Sequence, residues 1–414
     1  MILFVCKKST PNNLTEMKNS SKLTTLSALA LASGVSGLMA DPVESALDST
    51  FAKLEESVPG KFNLDYRLRY EEFETATADT ADFTHRIRYG YKTEDFNGFT
   101  GMIEGETLSR IGDDPDEMHP LDNAGDGTDL NQAWVQYANK EYGSVKVGRQ
   151  VYFLDDHRFI GTVGWRQNIQ SFDAATAEFS KVKDLSVKGF YLAEQHAVNG
   201  THNELDAFGL NVTYKFCKEF KLTGFYYDIE GDDTGNANAS NETIGLRAVG
   251  GFDVADVKFA YSASIAEQSE TGPSTLDYDA SYYAADLAGT FEGVTLGGGF
   301  EILEPQFRTP LATVHKFNGF ADAFLPLNGF AEGLEDYYVY AGYKIPVGSG
   351  IAAKVIYHWF DSETGNVEYG DELDFVASYK LNKYASLLAK YGRYEPDSGA
   401  YGKRMFTFEL NFIY

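Results

Sequence analysis

Two groups of residues carry the chemistry legible in this sequence. The first is the segment 151–170, VYFLDDHRFIGTVGWRQNIQ, which follows Val147-Gly148-Arg149-Gln150. It sets Arg158 and Arg166 among Phe153, Phe159, Ile160, Val163 and Trp165. Guanidinium groups in apolar company need carboxylate partners, or they present fixed positive charge to an anion that passes them. Asp155, Asp156 and Asp173 are the neighbouring carboxylates that could hold Arg149, Arg158 and Arg166. The second group is Arg67, Arg69, Arg86 and Arg88, spaced by two so that an extended chain puts each pair on one face. Arg247, Lys354, Lys188 and Lys390 fall on the polar faces of later segments. A ladder of cations suits carboxylated or phosphorylated solutes. The other reading pairs the same arginines with Asp65, Glu71, Glu104 and Glu106 as struts, and the sequence leaves both open.

Other chemistries have little support. A hydrolase needs serine and histidine together, and neither His157 nor His358 has a Gly-x-Ser-x-Gly motif to work with. No enzyme is therefore expected. Two cysteines build neither a disulfide scaffold nor a zinc cluster. The acidic stretches with Asp113, Asp114, Asp116, Glu117, Asp122 and Asp126, and with Asp232 and Asp233, lack the twelve-residue calcium-loop pattern. They read as solvated faces, so no metal or cofactor is expected. With 35 Lys+Arg against 61 Asp+Glu, the net charge of −26 speaks against a nucleic-acid partner.

The elements that must position these groups are strands. From Lys61 onward the apolar period is two: Phe62, Leu64, Tyr66, Leu68 and Tyr70 alternate with Lys61, Asp65, Arg67, Arg69 and Glu71. Eighteen such segments follow one another, from 61–72, 82–93 and 96–109 to 383–395 and 402–414. Most exceed the roughly 5–6 residues of ordinary strands and reach the 9–11 that cross a bilayer when tilted. Short connections alternate with long ones, among them 110–128, 151–170, 231–241, 269–277 and 305–334. Short turns at one rim and long loops at the other mark an all-β, transmembrane, antiparallel up-and-down barrel. Its outward faces explain the 14% aromatic content, and its polar lumen explains a mean hydropathy of −0.31. Eighteen strands leave a lumen that side chains cannot fill, so a loop as apolar as 151–170 should fold inward and constrict it.

The N-terminus reads as an address. From Met17, Lys18 and Lys22 precede the apolar run Leu23–Val35 and small residues up to Ala40, the build of a secretory signal peptide. Residues 1–16 read as an upstream extension. Removing residues 1–40 takes four lysines and one glutamate, deepening the charge from −26 to −29, and leaves Cys217 as the single cysteine. Residues 41–60 show a helical period closed by Pro59-Gly60, a short periplasmic helix before the barrel at 61–414.

The run Gly148-Arg149-Gln150, Asp155-Asp156-His157-Arg158-Phe159-Ile160-Gly161, Trp165-Arg166-Gln167-Asn168 and Phe172-Asp173-Ala174 resembles the alginate export family of outer-membrane porins. The dense likeness covers about residues 147–175. The resemblance implies an 18-stranded monomeric barrel of the bacterial outer membrane, with an inward loop and a cationic path for an acidic polysaccharide. It makes Arg149, Arg158 and Arg166 pathway or loop-anchoring candidates. The terminal strand, Phe406, Phe408, Leu410, Phe412 and Tyr414, resembles the signal read by the barrel assembly machinery. The expectation is a Gram-negative porin passing hydrophilic, preferentially anionic, solutes. A non-selective general porin is the alternative, and a barrel hydrolase a remote one.

Overall fold

The computed structural model describes residues 41–112, 122, 127–231, 236–325 and 329–414. The leader reading of 1–40, and Asp113, Asp114, Asp116, Glu117, Asp126, Asp232 and Asp233 of the acidic stretches, lie outside the described residues. The chain divides into two units, Met1–Leu54 and Glu55–Tyr414. The helical period materialises as α1 (Asp41–Ser57). Pro42 stands in its first turn, where a missing N–H costs nothing, and Pro59-Gly60 ends it.

Eighteen strands follow. They are β1 (Gly60–Glu74), β2 (Asp79–Thr93), β3 (Phe99–Arg110), β4 (Gly127–Asn139), β5 (Gly143–Gln150) and β6 (Ser171–Phe179). Next come β7 (Leu185–His196), β8 (His202–Lys215), β9 (Phe220–Gly231), β10 (Asn241–Val254), β11 (Val257–Glu270) and β12 (Asp279–Phe291). The last are β13 (Val294–Leu303), β14 (Leu334–Ile345), β15 (Ile351–Asp361), β16 (Glu368–Lys380), β17 (Ala385–Glu395) and β18 (Lys403–Ile413). Every strand pairs antiparallel with its chain neighbours, and β18 closes on β1, with Leu410 opposite Leu68. Closure leaves no edge and satisfies the backbone internally, the condition for a sheet in lipid.

The short connections, such as 140–142 and 255–256, all lie at one rim. Gly143 opens β5 at φ 129°, where a Cβ would stand 1.8 Å from the Glu178 carbonyl oxygen, so only glycine fits that turn. At the other rim the alternation is less strict than the sequence implied. Connections 75–78 and 197–201 are as short as the turns, because β2 and β8 begin earlier than their apolar pattern does. Bulges in the ladders at Glu104/Gly105, Asp173/Ala174, Leu192/Glu194 and Phe360/Asp361 also sit toward this rim.

The outer face is apolar. Ile103, Val135, Val147, Leu210, Leu246, Leu287, Leu296, Val339 and Phe375 are exposed around the wall. Aromatic pairs flank this belt, including Phe62–Tyr91 and Phe99–Tyr137 toward the short turns and Tyr70–Phe83 and Tyr357–Trp359 toward the long loops. So broad a belt is a lipid surface with interfacial girdles. No described helix is long and apolar enough to cross a membrane. The buried apolar core lies inside the barrel, joining Leu154 and Ile160 to Phe172, Phe225, Tyr227, Tyr282, Leu303, Phe307 and Leu311.

Candidate functional site

Segment 151–170, between β5 and β6, lies inside the barrel. Ile160 and Gln167 are fully buried, and Arg158 and Arg166 are each 1% exposed. A second segment, 304–333 between β13 and β14, joins it there. Ile160 and Leu311 form a parallel bridge, Gly161 N–H donates to the Leu311 carbonyl at 2.8 Å, and Thr313 N–H donates to that of His157 at 2.9 Å. A Cβ on Gly161 would stand 2.6 Å from the Thr313 nitrogen, so a side chain there would part the two segments. The sequence reading took 305–334 only as a long loop. Its signal was available: Phe307, Leu311, Phe317, Phe320, Phe324 and Phe330 are as ill suited to an exposed loop as the apolar residues of 151–170.

One side of this double loop is held by charge. Arg67 donates to the carbonyls of Gly164, Trp165 and Arg166 at 3.3, 3.1 and 3.1 Å. Arg69 donates to the Trp165 carbonyl and to Glu409, the latter at 2.6 Å. Arg86 and Arg88 donate to the Gln167 carbonyl at 3.4 and 3.2 Å while pairing with Asp65 and Glu106 respectively. These carbonyls have left the β-ladder, and the arginines replace the partners they lost. In return Arg166 reaches Glu71 on the wall at 2.9 Å and Asp322 of the second loop at 2.7 Å. The Trp165 ring stacks on His315 with centroids 4.3 Å apart, and the Lys390 ammonium stands 3.7 Å from the indole centroid.

The other side is held mainly by packing. Phe159 meets Phe225, Tyr227, Tyr282 and Phe307 with ring centroids 5.0–6.3 Å apart. Arg158 is a fully buried charge there. It forks onto Glu301 of β13 at 2.7 and 3.0 Å and donates to Thr309 at 3.2 Å.

These arginines are all paired: Arg69, Arg86 and Arg88 meet the expected Glu71, Asp65 and Glu106, while the partners of Arg158 and Arg166 differ from those expected. Arg158 and Arg166 are held by Glu301, Glu71 and Asp322, not by Asp155, Asp156 or Asp173, because the inward fold carries them to acids on distant strands and on the second loop. Asp155 accepts from Asn211 at 2.7 Å, and Asp156 pairs with Arg247 at 2.8 Å, so Arg247 also anchors the loop. Glu104, expected among the struts, accepts from Asn131 and Gln132. Arg149 and Asp173 depart from the constriction reading altogether. Arg149 shares its strand face with the exposed Val145 and Val147, which turns it outward, and it forks onto Asp173 at 2.8 and 3.0 Å. The parity of β5 decides this: Lys146, Gly148 and Gln150 take the lumen face. His157 stacks on Phe153, and His358 bonds Asp336 at 2.8 Å; no serine hydroxyl bonds either imidazole among the described residues.

Burial perturbs the titrating groups of the two loops. It pulls His315 down to about 3, and the facing cations Lys390 and Arg166 add to this while Asp322 opposes it. Burial raises Asp122 despite Arg166 and Arg69. For Arg166 burial works against the charge, but Glu71, Asp322 and Asp122 outweigh it and raise the group above its ordinary value.

A second set of cations stands apart from the loops. Lys92, Lys146, Lys188, Lys215, Lys221, Lys258, Lys344, Lys354 and Lys380 all occupy lumen-facing positions within the last four residues of the short-turn ends of their strands. None is fully buried, and none forms an ion pair among the described residues. Aromatic rings steady some of them: the Lys146 ammonium stands 4.6 Å from the Trp134 centroid and that of Lys354 3.7 Å from Tyr340. Fewer carboxylates share this zone, among them Glu178, Asp253 and Asp286. Lys188 and Lys354 belong to the cation ladder expected from the sequence; most of the others stand at strand ends, where the alternating pattern fades into turns.

The model of the family described as "Alginate export" matches residues 59–302. No curated relative matches the sequence. Solved structures with the same fold include Acinetobacter baumannii OccAB3, with a TM-score of 0.70 and 14% identity over 86% of this chain and 100% of that one. Pseudomonas aeruginosa OccK11 (OpdR) has a TM-score of 0.66 and 14% identity over 86% of this chain and 95% of that one. Pseudomonas aeruginosa OpdK, solved with vanillate, has a TM-score of 0.68 and 10% identity over 86% of this chain and 98% of that one.

Proposed function

The chain belongs to the alginate export family and is an outer-membrane β-barrel of the porin kind, and from this we propose that it passes hydrophilic anions by passive diffusion. One observation carries the charge preference: the lysines at the short-turn end of the lumen form no ion pair with a carboxylate among the described residues. Free ammonium groups in a water-filled mouth lower the barrier for anions and raise it for cations. The double loop sets the size limit. Its arginines fix the loop and leave selectivity to the lysines. Family membership supports an acidic oligosaccharide or polysaccharide as cargo, and small carboxylates fit the same charge layout. In this reading residues 1–40 direct export and are removed, residues 41–60 lie in the periplasm, and the terminal aromatic strand engages the assembly machinery.

Reversal potentials across a planar bilayer under a salt gradient test the reading. The expected result is a stable channel whose reversal potential favours chloride over potassium, with block by an oligouronate. A cation-selective channel would refute the charge preference, and an absence of conductance would refute the channel.

A further inference from the structure

We propose that Glu194, His196 and His202 form a binding site for a borderline divalent transition ion of the zinc class, on the outer face of the barrel at the β7–β8 hairpin. His196 closes β7 and His202 opens β8, and the two are register partners across the five-residue connection 197–201. Their rings stand 4.4 Å apart and nearly perpendicular. His202 Nδ1 lies 3.4 Å from one oxygen of Glu194, and His196 Nε2 lies 3.6 Å from the other. Ligand atoms on a tetrahedral zinc, each about 2.0–2.2 Å from the metal, stand roughly 3.3–3.6 Å from one another. One ligand atom from each of the three side chains lies within 4.8 Å of the others, so a small rotamer adjustment brings them to that spacing. They form the one group of three or more metal-ligating residues among the described residues.

Two further observations point to a missing cation. His196 is 9% exposed, and its buried Nε2 faces this cluster with only the carboxylates of Asp173 at 3.3 Å and Glu194 at 3.6 Å beside it, neither in good hydrogen-bond geometry. A buried nitrogen left unsatisfied is costly, and a metal would satisfy it. Glu194 also lies directly opposite Glu204, as Asp206 lies opposite Glu230. Like charges in register repel. The nearest cation, Arg149, is committed to both oxygens of Asp173. Asp173 approaches His196 Nε2 to 3.3 Å, so with its charge met by Arg149 it acts as a neighbour, and the fourth position is left to water. Two imidazoles select a zinc-class ion over calcium or magnesium, which favour all-oxygen ligands. An ion there would clamp the hairpin whose Val198 carbonyl accepts from Asn168 of the constriction loop at 3.1 Å.

Calorimetric titration of tag-free, chelator-stripped protein in detergent with ZnCl2 tests the site. The expected result is one equivalent bound, with CaCl2 giving no comparable heat. His202→Gln and Glu194→Gln should each weaken binding tenfold or more, whereas His85→Gln, at another outward-facing histidine, should leave it unchanged. An unaltered isotherm in His202→Gln, loss of binding in His85→Gln, or no stoichiometric binding by the unsubstituted protein would overturn the assignment. Retention of the folded barrel, read as heat-modifiable gel mobility, separates lost ligands from lost structure.

Discussion

The lumen holds two sets of cations that a sequence cannot tell apart. The arginines of β1 and β2 sit at the height of the loops, Arg69, Arg86 and Arg88 buried and Arg67 partly so, each bound to carboxylates, loop carbonyls or both. The lysines at the short-turn ends are exposed or half-buried and form no ion pair among the described residues. Their chemistry explains the division. A guanidinium offers five fixed donors and satisfies several acceptors at once, so it can replace a broken backbone ladder. An ammonium is a strongly hydrated point charge and costs more to bury, so it remains where water and solutes reach it. Arginine here builds the constriction; in our reading lysine sets what crosses it.

Removing a strut should give the largest effect. Arg166→Met removes from the buried Glu71 and Asp322 the guanidinium that joins them, leaving Glu71 with Arg69 and Asp322 with His315. Breaking a buried pair from one side costs about 3–5 kcal/mol, enough to undock the double loop. The expected outcome is a larger and noisier single-channel conductance, with new protease cuts within 151–170. If conductance stayed quiet and unchanged, the arginines would not be what holds the constriction.

Acid should strain the same region, with a sign fixed by burial. His315 titrates near 6.5 when undocked and at about 3 when docked. Between those values the undocked state holds more protons, so the docked state loses stability as pH falls from 6.5 toward 3. Other buried groups add their own slopes; Asp122, with a raised docked value, runs the opposite way. The comparison with His315→Gln isolates the histidine. Open-state noise should rise more steeply in the unsubstituted channel than in the variant across this window, and equal slopes would remove His315 from the account.

Much of this arrangement was legible in sequence, for a physical reason. Period two survives wherever one face of a strand meets lipid, so all eighteen strands and the inward segment 151–170 could be read from their residues. Which charges meet could not. Glu301 lies 143 residues from Arg158, and only barrel closure brings them together. Arg149 shows the same limit locally: its motif said pore, while the register of β5 turns it outward.

Changing the free charges should alter selectivity and leave stability intact. Lys146→Glu, Lys188→Glu and Lys354→Glu together place three negative groups at the lysine-rich mouth without touching the double loop. The anion-to-cation permeability ratio should fall severalfold, and the unfolding midpoint should stay close to that of the unsubstituted protein. A ratio that held steady would return selectivity to the constriction.

The smallest effect belongs to Arg149, and it is the sharpest check on which arginines face the pathway. The pair with Asp173 is partly exposed, with side-chain exposures of 22% and 34%. Such pairs contribute about 0.2–1 kcal/mol, so Arg149→Gln should barely shift the unfolding midpoint. Because the residue stands with Val145 and Val147 on the outer face, conductance and reversal potential should not change at all. A motif-based view, in which Arg149 and Arg166 serve one cationic path, requires both substitutions to alter permeation. Similar changes from Arg149→Gln and Arg166→Met would favour that view. A silent Arg149→Gln beside a leaky Arg166→Met would tie each arginine's role to the strand face it occupies.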